Sequence, residues 1–493
     1  MQAFNYPSWN RIALDRDGNR PLNEQLFEQL RRWIRDGIVE PGARLPPSRV
    51  MAEELGLSRN TVVLVYERLA NEGYLTRRIG AGTFVETMLP EDHHPRAQPD
   101  AASPSAFDAA PVPSRRGQAL VAMNLPPERI ETHDLSAGVP ALNEFPYDDF
   151  AQIASRRWRD RAITHTGYDY SRGAPLLASR IADYLLEAKA IDCCPEQIIV
   201  VGNTLQAAAL TAHVLFDRGD EVLVEDPCHI PEIATLEAFG LITVPVPLDM
   251  RGFDIKAAGA AAERAKMAVV SPAEQWPYGC TMTADRRQTL LDWAVGRGVW
   301  IFEDDSNGEI RWSGGAQTTL YARDPRRVIY TGSFNRMLAP GLRLAYLIVP
   351  PSLVEAFALA QRIFSFYAPL PDQALVADFM DQGRLASHLR RMRTIYRERA
   401  ACLTTCLRDR LESRFDVPDV HAGLHLTIHA RGPFKDTTVS QALLRKGLDC
   451  PPLSRYARGE TKPTGLVLGF GNTSVRRIPR CVDILAQTVF EHG

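Results

Sequence analysis

Apolar strand signals alternate with helical stretches through most of this chain, beginning near Asp134. Short runs rich in β-branched residues are typical of strands that are buried on both faces, and helical patterns between them indicate crossover helices. The alternation predicts a mostly parallel sheet with helices on both faces, an α/β architecture. The clearest strand candidates are Ile198–Val201, Glu221–Glu225, Ala268–Val270, Val299–Glu303 and Val328–Tyr330.

The pattern changes past Leu375, where long charged helical stretches replace the strand–helix alternation. Two apolar segments with strand character follow, at 423–427 and 465–470. We therefore predict a smaller α+β subdomain at the C-terminal end. A chain of 493 residues is also too long for one typical domain, which favours two or three.

Residues from about 21 to 85 form a separate compact module. Leucines at helical spacing predict a first helix that ends near Gly37. Ser48 and Ser58 are expected to cap a second and a third helix, because a serine hydroxyl can accept a hydrogen bond from the first turn. Two strand-like segments close the module. Three small helices and a hairpin predict a winged helix-turn-helix.

Between the module and the α/β region lies a segment interleaved with proline, alanine, serine and charged residues. Such a composition is typical of a stiffened, mostly unstructured linker. The predicted organisation is a DNA-binding domain over 1–88, a linker over 89–131, a large domain over 132–370 and a small subdomain over 371–493.

Three segments of the module, Leu45–Arg49, Leu57–Val62 and Gly80–Val85, resemble the GntR-type DNA-binding domain of bacterial regulators. The start of a helix presents backbone N–H groups that suit a phosphate, and arginine and asparagine there can reach base edges in the major groove. The resemblance implies contacts to a double-stranded DNA operator from Arg49, Ser58, Arg59, Asn60, Thr61 and Gly80.

Composition limits the other function classes. The net charge of −2 says little about partners, and no apolar run approaches the length of a membrane span. The N-terminus has no signal pattern, so we expect a cytoplasmic protein without membrane contact. The eight scattered cysteines indicate reduced thiols rather than a disulfide frame or a metal site.

The segment Tyr330–Leu344 resembles the cofactor-lysine segment of fold-type I aminotransferases. In that family the position of Arg336 is a lysine, which holds pyridoxal phosphate as a Schiff base. Arginine stays protonated and delocalised, so it cannot attack an aldehyde. Only six of the 57 cations are lysines, and none lies between Lys266 and Lys435. We therefore predict no catalytic residue and no covalent cofactor.

Other motifs resemble the same family from about 134 to 490, and a GntR head joined to such a body is the MocR-type arrangement. The resemblance implies a phosphate site at Gly202, Asn203 and Thr204, with further phosphate ligands at Ser333 and Arg343. It implies that Asp304 faces the pyridine nitrogen. The segment Ser271–Gly279, which includes Gln275, matches the family segment that lines the ring edge.

Several positions depart from the family pattern. Asn335 replaces a usual serine and Glu274 a usual histidine. Ser306 stands where the family places a tyrosine that bonds the ring hydroxyl, and His229 replaces a tyrosine near the ring. The phosphate-side residues are kept while the ring-side residues have changed, which favours a rebuilt pocket over a single recent loss.

The resemblance as a whole implies a homodimeric transcription regulator with a winged helix-turn-helix head. Its aminotransferase-like body is expected to sense a small-molecule effector. Pyridoxal phosphate, or a related phosphate ligand, is expected to bind without a covalent bond, with Arg336 acting as a charge clamp. The alternative is a pyridoxal-phosphate-dependent transaminase acting on an amino acid.

Overall fold

A computed structural model describes residues 9–16, 18, 20–78, 80–89, 112–123, 125, 133–160, 174–313, 318–364, 367–459 and 462–492. The chain divides into two compact units, Met1–Val112 and Pro113–Gly493. Most of the predicted linker lies outside the described residues. Within it, however, residues 115–122 form a helix that Ser114 caps, so the expectation of an unstructured segment was wrong there.

The first unit contains three helices and an antiparallel hairpin around one apolar core. Their bounds are α1 Leu22–Arg35, α2 Ser48–Leu55, α3 Arg59–Asn71, β1 Leu75–Arg78 and β2 Gly82–Val85.

Of the two predicted helix caps in this unit, the structure contains one. Ser58 caps α3 as predicted, because its hydroxyl accepts a hydrogen bond from the amide of Thr61. The prediction for Ser48 was wrong: Pro47 occupies the cap position and makes no side-chain cap. Trp9 stacks on Trp33 and joins the core, an extension of the module that the apolar periodicity did not indicate.

The second unit is built on a seven-stranded sheet in the order β3-β9-β8-β7-β6-β4-β5. Its strands are β3 Ile198–Val201, β4 Glu221–Asp226, β5 Ile242–Pro247, β6 Met267–Val270, β7 Trp300–Asp304, β8 Val328–Ser333 and β9 Ala345–Ile348. Five neighbouring strands are parallel, and β9 runs antiparallel to both β3 and β8. The predicted parallel α/β sheet is confirmed.

Helices cover both faces of this sheet, which is why most residues of its strands are apolar. In β3, Ile198 and Val200 enter one core, while Ile199 and Val201 enter the other. The helices of this part are α4 Arg115–Ala122, α5 Tyr147–Arg159, α6 Pro175–Lys189, α7 Thr204–Leu215, α8 Ile230–Ala238, α9 Ala261–Arg264, α10 Ala284–Arg297, α11 Leu320–Arg323, α12 Phe334–Met337, α13 Val354–Phe364 and α14 Leu370–Asp381.

A three-stranded antiparallel sheet forms the predicted C-terminal α+β part. Its elements are α15 Arg384–Leu411, β10 Phe415–Asp416, β11 His425–Ala430, α16 Asp436–Arg445, β12 Gly465–Gly469 and α17 Ile478–His492. Leu135, far away in sequence, packs into the same core. Gly469 donates a backbone hydrogen bond to the Leu135 carbonyl, which ties this segment to β12.

Candidate functional site

A cavity of about 410 Å³ lies at the carboxyl ends of the parallel strands. Residues that follow β3, β4, β6, β7 and β8 converge there, as expected at the edge of a doubly wound sheet. Eight of the ten predicted pocket residues line it: Asn203, Thr204, His229, Asp304, Ser306, Ser333, Arg336 and Arg343.

The two other predicted residues lie outside the cavity lining. The amide of Gly202 donates to the side chain of Gln206 at 2.7 Å and is therefore engaged within the chain. Gln275 is buried behind the wall, where its amide group donates to the Pro227 carbonyl at 2.8 Å and to Glu225 at 3.2 Å. Direct ligand contact from either residue is not supported by this geometry.

One end of the cavity combines helix starts with a cation. Asn203 caps α7 through its side chain, Ser333 caps α12, and Thr204 is the first residue of α7. Arg343 stands opposite in a left-handed backbone conformation with φ of 48°. Helix N-termini and a guanidinium are the groups that bind phosphate in proteins. This end of the cavity therefore has the chemistry of a phosphate site.

The other end contains carboxyl groups. Asp304 closes β7 and accepts a hydrogen bond from the amide of Ser306 at 2.8 Å. Burial raises the pKa of Asp304 and raises the pKa of Glu225 to about 8. Glu232, which the sequence interpretation missed, also lines the cavity, and burial raises its pKa strongly. Its signal was an acidic residue in the first turn of a helix, three residues after His229.

Arg336, which the family resemblance predicts at the lysine position, borders the cavity. Its guanidinium lies over the Trp276 ring, 5.3 Å from the ring centroid. Burial lowers the pKa of Arg336, and the nearby Glu274 and Asp304 carboxyls oppose this effect. A guanidinium keeps its proton under these conditions, so it supplies charge and hydrogen-bond donors rather than a nucleophile.

No lysine replaces the missing amine in the part of the cavity wall that the structure describes. Lys189 is the buried candidate, but it lies 2.9 Å from Asp305 and 3.4 Å from Glu309. Together the two carboxylates outweigh the effect of burial and raise the pKa of Lys189. The Lys189 ammonium group therefore forms a structural ion pair with these two carboxylates.

Glu274 lies behind this wall, fully enclosed, and neither of its carboxyl oxygens has a hydrogen-bond partner among the described residues. Burial raises its pKa to about 8, from an ordinary value near 4.5. A raised carboxyl pKa favours folding below the unfolded pKa, and this advantage disappears as the pH rises through 8.

We therefore expect Glu274→Gln to raise the unfolding temperature relative to the wild type at pH 9, and to change it little at pH 4. The neutral amide needs no proton to stay buried. Thermal unfolding of both proteins across this pH range measures the effect. A difference of equal size at every pH would contradict a titrating Glu274.

The predicted DNA-contact residues lie on α2, at the start of α3 and in the hairpin turn of the first unit. Arg49, Ser58, Arg59 and Asn60 are exposed, and Gly80 has a positive φ of 77° at the tip of the hairpin. Thr61 is half-buried, and its hydroxyl lies 2.8 Å from that of Ser58. Arg49 and Arg59 make no ion pair within the described residues of this unit, which leaves their charges available.

Comparisons with known proteins agree with this organisation. Residues 22–85 match the model of the bacterial regulatory proteins of the gntR family, and residues 134–458 match aminotransferase class I and II. A probable rhizopine catabolism regulatory protein MocR from Rhizobium meliloti is 35% identical, covering 96% of this chain and 95% of its own. The pyridoxine biosynthesis transcriptional regulator PdxR from Corynebacterium glutamicum is 29% identical, covering 94% of each.

Solved structures show the fold of the second unit. An archaeal alanine:glyoxylate aminotransferase has a TM-score of 0.69 at 23% identity, covering 76% of this chain and 94% of its own. LysN, an α-aminoadipate aminotransferase from Thermus thermophilus, was solved with N-(5'-phosphopyridoxyl)-L-leucine. Its TM-score is 0.68 at 22% identity, covering 77% of this chain and 95% of its own. Within the described residues, no helix is long and apolar enough to cross a membrane.

Proposed function

Because this chain belongs to the gntR family through residues 22–85 and to the aminotransferase class I and II family through residues 134–458, we propose that it is a transcription regulator of the MocR type. Its aminotransferase-like unit senses a small phosphate-bearing effector without forming a covalent bond to it. The observation that supports the proposal is that Arg336 lines a cavity that also contains Thr204, Ser333 and Arg343. By resemblance to the family segment, Arg336 stands at the lysine position.

The cavity fits part of pyridoxal phosphate. Asn203, Thr204, Ser333 and Arg343 would hold the phosphate, and Asp304 would face the ring nitrogen. When bound, this group supplies an electrophilic aldehyde and an electron-withdrawing ring. Arg336 provides no amine for that aldehyde, so the residues support non-covalent binding of the pyridoxal or pyridoxamine form. The exposed Arg49 and Arg59 support operator binding by the first unit.

In the proposed mechanism, occupation of the cavity changes the placement of the two DNA-binding heads of a homodimer, and with it operator affinity. The heads span residues 1–88, the segment 89–131 links them to the bodies, and the bodies divide near residue 370. The protein acts where bacterial DNA lies, in the cytoplasm. Operator affinity that stays the same with and without every candidate cavity ligand would overturn this mechanism.

Non-covalent binding has a direct test. We expect calorimetry to detect pyridoxal phosphate binding, and borohydride treatment of the complex to add no mass to the wild-type chain. Arg343→Ala should weaken binding about 10-fold to 100-fold by removing a charged phosphate partner. Arg326→Ala is the matched control, since Arg326 is exposed, pairs with Asp324 and lies outside the cavity.

The transaminase alternative makes the opposite prediction. A mass increase on the wild-type chain after reduction, or transfer of an amino group, would support it and contradict our proposal. Arg336→Lys tests whether the pocket differs from a transaminase site only at this residue or at several residues. A reducible adduct in that variant would indicate a pocket that lacks only the amine, whereas its absence would indicate a pocket rebuilt around the arginine.

A further inference from the structure

Several buried polar atoms without hydrogen-bond partners meet at one side of the cavity. Within the described residues, Arg336 Nη1, both Glu274 carboxyl oxygens, His425 Nδ1 and Trp276 Nε1 have none. Buried polar groups are nearly always hydrogen-bonded, so a concentration of exceptions needs an explanation. We call Arg336, Glu274, His425 and Trp276 the Arg336 cluster.

The parts of the Arg336 cluster are close together. The rings of Trp276 and His425 are 4.5 Å apart between centroids, and His425 Nδ1 is 3.5 Å from Glu274 Oε1. The Arg336 guanidinium lies over the indole ring, 5.3 Å from the centroid of Trp276. It also packs on Gly138, where an added Cβ would stand 3.4 Å from Nη2. The guanidinium is thus held in place from two sides.

The Arg336 guanidinium makes no ion pair with a described residue. Burial lowers the pKa of His425 to about 3 and that of His229 to about 4, so neither ring adds a charge beside it. The Glu274 and Asp304 carboxyls act on Arg336 through space, without a direct contact to its guanidinium. A buried cation without a direct partner is unfavourable and attracts an anion.

Glu274 is fixed close to Arg336 by a glycine of the small subdomain. A Cβ built on Gly423 would overlap the Glu274 carboxyl group, and this glycine has a positive φ of 82°. Only glycine leaves room for the carboxyl group there.

We propose that Arg336 binds a carboxylate of the effector, so that the cavity takes a ligand with two anionic groups. The phosphate lies at the end formed by Thr204, Ser333 and Arg343, and the carboxylate lies at the guanidinium of Arg336. A guanidinium presents paired N–H donors that match a carboxylate, and Arg336 lines the cavity without an ion pair to another described residue. The inference rests on the proposed function, because it specifies the ligand class of the same cavity.

Two ligands that differ by a leucine residue, which brings a carboxylate and an apolar side chain, test the proposal on the full-length protein. N-(5'-phosphopyridoxyl)-L-leucine carries both a phosphate and a carboxylate, whereas pyridoxamine phosphate carries the same ring and phosphate alone. Calorimetry is expected to show that the wild type binds the leucine compound about 10-fold to 100-fold more tightly, as charge-assisted hydrogen bonds predict. Neither ligand has an aldehyde, so covalent chemistry does not enter the comparison.

Variants of Arg336 test whether this residue causes the tighter binding of the leucine compound. Arg336→Met keeps an unbranched side chain without the charge and should remove the preference while pyridoxamine phosphate still binds. Arg336→Lys keeps the positive charge but lacks the paired N–H donors of the guanidinium. This variant should retain part of the preference for the leucine compound. Pyridoxamine phosphate binding by both variants also shows that they are folded.

The outcomes separate the two proposals. Equal affinity of the wild type for the two ligands, or a preference that survives in Arg336→Met, would overturn the carboxylate site while leaving non-covalent phosphate binding intact. Failure of the wild type to bind either ligand would overturn both.

Discussion

Replacing Arg59 with alanine is expected to weaken operator binding by about 10-fold to 100-fold, because loss of a base-edge contact costs about 1–3 kcal/mol. Arg59 is the first residue of α3 and is exposed, with no ion pair to another described residue of its unit. Binding of the wild type and the variant is compared by fluorescence anisotropy at one salt concentration. The duplex is one that the wild-type chain selects from a random library.

Arg35→Ala provides the matched control. Arg35 is also an exposed helical arginine of the first unit, but it lies in the last turn of α1 and contacts Asp36. Its removal changes the net charge by the same amount, so affinity should change far less than in Arg59→Ala. Equal losses in the two variants would show that Arg59 contributes only general charge, and the predicted base contact would be wrong.

Lys189→Met is expected to lower the free energy of unfolding of the larger unit by about 3–5 kcal/mol, because it leaves two buried carboxylates without their cation. Asp305 and Glu309 are almost fully buried. Their remaining partners are tyrosine hydroxyls: Tyr330 donates to Asp305 at 2.7 Å, and Tyr184 donates to Glu309. Hydroxyl groups do not neutralise the charge. Calorimetric unfolding of the full chain measures the loss.

Lys266→Met is the control for this variant. Lys266 forms an ion pair with Asp220 at 2.7 Å, but its side chain is 56% exposed, so water replaces the lost partner. Its unfolding temperature should stay close to that of the wild type. A small effect of Lys189→Met would instead show that the two carboxyl groups become protonated at little cost, and the structural role assigned to Lys189 would be wrong.

The sheet shows which strands a sequence pattern can reveal. Five strands that carry uninterrupted apolar runs were predicted near their true bounds, because burial on both faces leaves a strong local signal. The strands β5 and β9 were not predicted. The first of these lies at an edge and contains Pro245 and Pro247, which mask strand character. The second is only four residues long, and its antiparallel placement between β3 and β8 depends on distant partners.

In the cavity, too, some residues could be predicted from local sequence and others could not. Asn203, Thr204, Ser333 and Arg343 were predicted because phosphate binding depends on turns and helix starts, which local sequence encodes. Glu232, Trp276 and His425 were not among the predicted site residues. They come from three separate segments, and only the packing of the large sheet against the small subdomain brings them together. Gly202 and Gln275 were predicted from neighbouring motif positions, yet their hydrogen bonds turn them away from the cavity.

By itself the sequence determined the α/β class and the winged helix module, and it has an arginine at position 336, where the family resemblance predicts a lysine. Each of these depends on residue identity or on spacing within one segment. Only the tertiary structure decided what surrounds Arg336: a buried Glu274 with a raised pKa and two histidines with lowered pKa values. It also decided that Lys189 pairs with carboxylates outside the cavity. Burial and charge pairing set these protonation states, and both depend on residues far apart in the chain.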